Sequence, residues 1–316
     1  MPVSTLHKFR GCILGGALGD AVGELASSHG DYGSLIDWIG EGDMLRYTDD
    51  TAMSIGLAEA LTKSGGGINE EAIGTIFQRN YVREPWRNYS QSLTSIFAAV
   101  KRHEISFSEA AGWLHHGNGS MGNGAAMRNA PLGLLFRNSD RLREFAEQTA
   151  RITHTHEIGV DGAAIMAWAA AQLANLDPKA KFPLASFCTG IVSFAQSKIM
   201  RLRLVQVIEL IAGNAPPEKA AAVLELSQTP ELELSQTVAE SLPYALYSFL
   251  AHRKSFKECV YCAVLQGGER DTIGAMAGAL SGAYLGGKAI PKDWVSRVEN
   301  REMLEDLAKQ LNNLDV

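Results

Sequence analysis

Two short acidic stretches of like design stand at opposite ends of a 316-residue chain: Tyr47-Thr48-Asp49-Asp50-Thr51 and Gly267-Gly268-Glu269-Arg270-Asp271-Thr272. Each crowds carboxylates and threonine hydroxyls into a few positions at the mouth of an apolar, helix-forming segment. Asp and Thr are good helix caps, so either stretch alone is explained by capping. A cap needs only one such residue, however, and each stretch supplies three or more. Oxygen-only clusters of this kind suit hard divalent cations such as magnesium, which prefer carboxylate, hydroxyl and water ligands. Stretches that share metals must meet in space, and nothing between them has the composition of an interdomain linker. The expectation is therefore one domain over residues 1–316.

Helical periodicity runs almost throughout, without convincing strands, and predicts an all-α fold of roughly a dozen helices. The first helix is expected over 5–26 and carries Gly11, Gly15, Gly16, Gly19 and Gly23. Glycine costs about 1 kcal/mol per helical position relative to alanine, so this density implies the close approach of another helix backbone. Asp20 lies in the same apolar stretch, where a carboxylate needs a partner: a metal, a metal-bound water or a structural arginine. Thr48 is expected to cap a helix ending near Lys63, Asn69 one ending near Val82, and Asp140 one ending near Ile152. Further helices are expected over 90–102, 108–115, 162–176, 235–252 and 255–265, and two between Pro183 and Gly213. Turns are expected at Pro216-Pro217 and Thr229-Pro230, and a kink or break at Pro243. The helix over 273–285 is as rich in small residues as the first.

Composition removes several function classes. A net charge of −6, a pI near 5.8 and no basic cluster longer than Lys101-Arg102-His103 argue against a nucleic-acid-binding face. Residues 6–25 are interrupted by His7, Lys8, Arg10, Asp20 and Glu24, which is not a signal peptide, and no run of about 18 apolar residues would span a membrane. The expected setting is cytoplasmic and the expected state a monomer. Cys259 and Cys262 form a CxxC without a second pair, inside a helical pattern, and read as buried thiols.

Residues 117–124, Gly-Asn-Gly-Ser-Met-Gly-Asn-Gly, formally match G-x-G-x-x-G, but no strand precedes them and no βαβ unit surrounds them. A glycine-rich turn feeding a helix still exposes N–H groups and the positive end of the helix dipole, which suits a phosphate; a plain loop is the alternative. Thr153-His154-Thr155-His156 places histidines at i, i+2, which do not share a helix face and so do not form a zincin-like pair.

These motifs, taken in order, resemble the ADP-ribosylglycohydrolase family. The likeness rests on residues 10–20, Tyr47 to Thr51, Gly119 to Arg128, Thr153-His154 with Gly159, and Gly267 to Thr272. The resemblance implies an orthogonal helical bundle with two magnesium ions, or manganese in their place, in a central cleft. It implies cleavage of the N- or O-glycosidic bond between ADP-ribose and an acceptor, so that the partner is an ADP-ribosylated protein or another ADP-ribose conjugate. Carried over by position, Thr48, Asp49, Asp50 and Asp271 would ligate one ion, and Glu269, Asp271 and Thr272 the other. Asp49, Asp50 and Asp271 would be the catalytic carboxylates, and Ser120, Met121, Gly122, Asn123 and His154 would line the ADP-ribose groove. Three positions depart from the family pattern. Glu269 stands where aspartate is usual, Met121 where some relatives carry an aromatic, and Ser27 where the serine-specific branch has a glutamate seven residues after Asp20. A magnesium-dependent nucleotide or phosphoester hydrolase, and an inactive ADP-ribose-binding relative, are the other readings.

Overall fold

The computed structural model describes residues 3–226 and 237–314. Within them the chain forms nineteen α-helices and one 3-10 helix, and the extended backbone amounts to two isolated bridges, Leu45 with Val298 and Gly122 with Thr237. The all-α class is as the periodicity predicts. The helix count exceeds a dozen because Leu114–Gly117, Gly124–Met127, Ala130–Leu135 and Lys292–Arg297 are only four to six residues long, while the helix expected over 108–115 is Phe107–Gly112. A helix of one turn or little more shows no periodicity in sequence. Tyr32–Gly40 is a further addition, capped by Asp31, which accepts from Ser34 N.

The first helix, Thr5–Ser28, packs antiparallel along Arg270–Leu285, and glycine dictates how close the two come. Gly11 faces Gly282, Gly15 faces Gly278, Gly19 faces Gly274, and Gly23 faces the Arg270 carbonyl. A Cβ added at any of the four first-helix glycines would lie 1.9–2.4 Å from a carbonyl oxygen of the other helix. The glycines recur every four residues on both helices, so they form one stripe on each, and the two backbones meet without side chains between them. Lys8, buried in the same helix, donates to the carbonyl oxygens of Leu176 and Tyr284, near the C-terminal ends of Glu157–Asn175 and Arg270–Leu285. One contiguous apolar core draws residues from Phe9 through Leu311.

Three expected boundaries shift. Asp140 is not a cap: the helix there is Leu142–Arg151, with Arg141 at the N-cap position and no side-chain cap bond. The helix expected over 162–176 is Glu157–Asn175 and begins earlier, because His156 Nδ1 accepts from Ile158 N and caps it. Pro243 lies inside Val238–Ala251 without ending that helix. The turn expected at Thr229-Pro230 and the start of the helix expected at 235 lie outside the described residues. All four cysteines are free and buried. Among the described residues no helix is long and apolar enough to cross a membrane.

The glycine stripe makes a direct test. In Gly282→Ala the new methyl would sit 1.8 Å from the Gly11 carbonyl oxygen. Overpacking of this kind costs about 1–3 kcal/mol or more, whereas Gly40→Ala, with nothing within 4 Å, should stay within about 0.5 kcal/mol of wild type. Urea unfolding of the two variants measures the contrast, and equal stabilities would refute the packing.

Candidate active site

Asp20 organises the first acidic stretch. It is fully buried on the first helix, and Thr48 and Thr51 surround its carboxylate. Oδ1 accepts from Thr48 N at 3.0 Å and Thr48 Oγ1 at 2.9 Å; Oδ2 accepts from Thr51 N at 3.0 Å and Thr51 Oγ1 at 2.6 Å. The partner the sequence leaves open is thus the start of the Asp49–Lys63 helix, rather than an arginine or the cleft itself. Burial pushes the Asp20 carboxyl up to about 7 against the lowering pull of these hydrogen bonds. Thr48 is the N-cap of that helix, which makes Asp49 and Asp50 its first-turn residues, where the helix dipole favours carboxylates. From the other side Arg87 holds the stretch in place. Its Nη1 donates to Tyr47 O at 2.8 Å and to Glu299 Oε2 at 2.6 Å, and the guanidinium lies 4.2 Å from the Tyr47 ring centroid.

The second stretch enters its helix through Gly267 and Gly268, both at positive φ. Arg270 Nη1 donates to Val264 O at 2.6 Å, so the one cation of the stretch is anchored on a carbonyl. Asp271 Oδ1 accepts from Thr272 N at 2.8 Å, and Thr272 Oγ1 donates to Asp50 Oδ2 at 3.2 Å. That last bond joins the two stretches directly. Glu269 Oε2 accepts from Asn123 Nδ2 at 2.5 Å, so the methylene that distinguishes it from aspartate extends its carboxylate to the glycine-rich loop.

The carboxylates are short of positive charge. Burial raises the pKa of Asp49, Asp50 and Asp271, and raises Glu269 to about 7. The nearby Asp271 charge raises Asp49, Asp50 and Glu269 further. Among the described residues none of the four forms an ion pair with lysine or arginine. Asp50 Oδ1 is buried without a hydrogen-bond partner. An all-oxygen donor set, crowded negative charge and an orphaned carboxylate oxygen fit a hard divalent cation. No three Asp, Glu, His or Cys side chains among the described residues form a ready-made cage. Magnesium does not require one, because it keeps several waters and takes few protein ligands.

Asp49, Asp50, Glu269, Asp271 and Thr272 line a cleft of about 570 Å³, whereas Thr48 is buried and does not line it. Ser120, Met121, Gly122, Asn123 and His154 line the same cleft. Gly119, at φ 75°, lets the loop fold onto the next segment; a Cβ there would lie 2.2 Å from Thr155 Oγ1. Ser120 Oγ accepts from Gly122 N at 3.0 Å, and Met121 O accepts from Val238 N at 3.0 Å, which holds the loop's shape. The helix after the loop, Gly124–Met127, is a single turn, so its dipole adds little to anion binding. Asn123 and Gly124 border the cleft, and their amides precede the first bond of that turn, from Ala126 N to Asn123 O.

Several lining residues carry no signal in the sequence. Asn88, Ser90, His115, His116 and Thr237 belong to no motif, yet all border the cleft. His115 and His116 adopt left-handed backbone, at φ 50° and 59°, which is uncommon for residues with a Cβ. Ser27 is exposed, donates to Gly23 O and does not border the cleft, whereas Glu24 accepts from Asn88 Nδ2 at 3.3 Å.

In Asp20→Asn an amide donor would replace one carboxylate oxygen and oppose the N–H group of either Thr48 or Thr51. An unpaired buried donor costs about 1–3 kcal/mol, so chemical denaturation should show a loss in that range. Wild-type stability in this variant would mean that Asp20 does not hold the stretch.

Residues 1–316 match the family model described as ADP-ribosylglycohydrolase. The chain is 28% identical to ADP-ribosylhydrolase ARH3 of Gallus gallus over 97% of its length and 93% of the relative's. It is 28% identical to ARH3 of Homo sapiens, covering 98% and 94% of the two chains. An uncharacterized protein of Archaeoglobus fulgidus is 30% identical, with 98% and 97% covered. A solved structure described as an ADP-ribosylglycohydrolase-related protein complex superposes with a TM-score of 0.71 at 23% identity, over 99% of each chain, and so shares the fold. By its fold, its ordered motifs and this full-length match, the chain belongs to the ADP-ribosylglycohydrolase family.

Proposed function

We propose that the chain is a magnesium-dependent hydrolase that cleaves the glycosidic bond between ADP-ribose and an acceptor, with manganese able to replace magnesium. The Thr272–Asp50 hydrogen bond carries this reading, because it joins both acidic stretches in a cleft that the 119–124 loop and His154 also line. Family membership and the likeness to ADP-ribosylhydrolase ARH3 supply the substrate class. A cleft of about 570 Å³ is also in the range of small-ligand sites.

Thr48, Asp49, Asp50 and Asp271 would hold one cation, and Glu269, Asp271 and Thr272 the other. Bound there, the cations supply Lewis acidity that orients the ribose hydroxyls and lowers the pKa of a water. The chain's own residues do the rest. The bond breaks through an oxocarbenium-like ribose, whose developing positive charge is favoured beside Asp49, Asp50 and Asp271. A free oxygen on one of these carboxylates accepts the proton of the attacking water and returns it to the departing acceptor, so that water's OH ends on the ribose and its proton on the acceptor. The amides of Asn123 and Gly124 would face the diphosphate, and Met121 would give the adenine an apolar contact. Asn123 belongs to both halves of the site, since it lines the groove and holds Glu269.

Release of ADP-ribose from arginine, serine, O-acetyl, poly(ADP-ribose) and nucleic-acid-base linkages, each assayed with magnesium and with chelator, tests this reading. At least one linkage should be cleaved with magnesium alone. Asp50→Ala should lose roughly a hundredfold or more in rate while keeping its helical circular dichroism. Full activity of Asp50→Ala in chelator would sink the assignment. Turnover of a nucleotide phosphoester instead would favour the phosphohydrolase reading. An inert wild type restored by Glu269→Asp would favour the inactive relative.

A further inference from the structure

Beside the cleft lies a buried cation without a counter-ion. Arg128 is almost fully buried, and no carboxylate among the described residues pairs with it. Its guanidinium sits 5.0 Å from the Phe77 ring centroid. Nη1 donates to Gly124 O at 2.8 Å; Nη2 donates to Thr149 O at 3.0 Å and to Thr153 Oγ1 at 2.8 Å. Burial lowers its pKa to about 9, which leaves it charged at neutral pH. Thr153 Oγ1 in turn lies 2.7 Å from His154 Nδ1.

The donor count fixes where the protons are. A guanidinium can only donate, so the Thr153 hydroxyl oxygen accepts from Arg128. The hydroxyl's own proton then needs an acceptor, and His154 Nδ1 is the one within reach. Were Nδ1 protonated, Thr153 would accept twice and its O–H would be buried without a partner, which folded proteins avoid. An imidazolium fails on the same ground. Burial, then the Arg128 charge and His115, also lower the His154 pKa, to about 3. Two glycines hold the ring close: a Cβ at Gly124 would lie 3.1 Å from its Cε1, and one at Gly159 3.2 Å from its Cδ2. His154 Nε2 has no protein hydrogen bond among the described residues, and His154 lines the cleft.

We propose that Arg128 and Thr153 form a relay that fixes His154 as the neutral Nε2–H tautomer and presents that N–H to an oxygen acceptor of the bound ligand. Arg128 and Thr153 are positioning residues: they act through His154, and Arg128 also secures the end of the glycine-rich loop at Gly124 O. The identity of the ligand as ADP-ribose rests on the function proposed above; the tautomer does not. A neutral donor recognises a phosphate or hydroxyl oxygen by direction rather than by charge.

Nitrogen-15 NMR of histidine-labelled protein reads the tautomer directly, with the His154 signals identified by their loss in His154→Asn. At neutral pH wild type should show a bare Nδ1 and a protonated Nε2. Thr153→Val, which keeps the shape but removes the hydroxyl, should lose that fixed pattern and bind ADP-ribose about tenfold more weakly. Thr153→Ser should restore both. A protonated Nδ1 in wild type overturns the relay, and so does a Thr153→Val protein with the wild-type pattern and affinity. If Thr153→Val does not fold, the wild-type spectrum and Thr153→Ser decide. Should wild type show the expected tautomer but bind no ADP-ribose, the functional reading fails while the relay's proton assignment stands.

Discussion

Backbone contact between Thr5–Ser28 and Arg270–Leu285 is the constraint on which the rest of the molecule depends. Four glycines on the first helix meet three glycines and the Arg270 carbonyl on the second, and the two backbones come within carbonyl contact. Side chains of any size would separate the helix axes. The Asp20 carboxylate would then lose its register with Thr48 and Thr51, and Thr272 its register with Asp50. Glycine's unfavourable helix propensity is offset here by an approach that no other residue permits.

From that pairing the site follows in layers. Asp20, out of the cleft, accepts from four donor groups and orients the first turn of Asp49–Lys63. Of the carboxylates so oriented Asp50 is buried and Asp49 and Asp271 are half-buried; they crowd one another and find no basic partner among the described residues. Folding so much negative charge inward is unfavourable unless a cation neutralises it, and a buried, unpartnered Asp50 oxygen is consistent with that use. Among the other groups that line the cleft, Asn123 and the His154 imidazole, which burial keeps uncharged, are neutral.

The sequence displays much of this and hides some of it for definable reasons. Acidic clusters and glycine stripes are local in sequence, so Asp49, Asp50, Glu269, Asp271 and Thr272 could be named in advance, and they do border one cleft. Asp20 could be singled out as a buried carboxylate in need of a partner, but its partner lies on another element and no spacing reveals it. Arg87, Asn88 and Arg128 act through contacts between segments distant in sequence, and His156 caps a helix with a ring nitrogen rather than a usual capping side chain. One-turn helices such as Gly124–Met127 are too short to show a period in sequence.

The central claim is that the two acidic stretches act as one cation-binding unit. A double-mutant cycle on manganese and magnesium affinity, measured by titration calorimetry with Asp50→Asn, Asp271→Asn and the double variant, tests it most directly. The account predicts strong coupling, the double variant losing little more affinity than either single one, because each change disables the same site. Additive losses, or no change in metal affinity in either single variant, would contradict it.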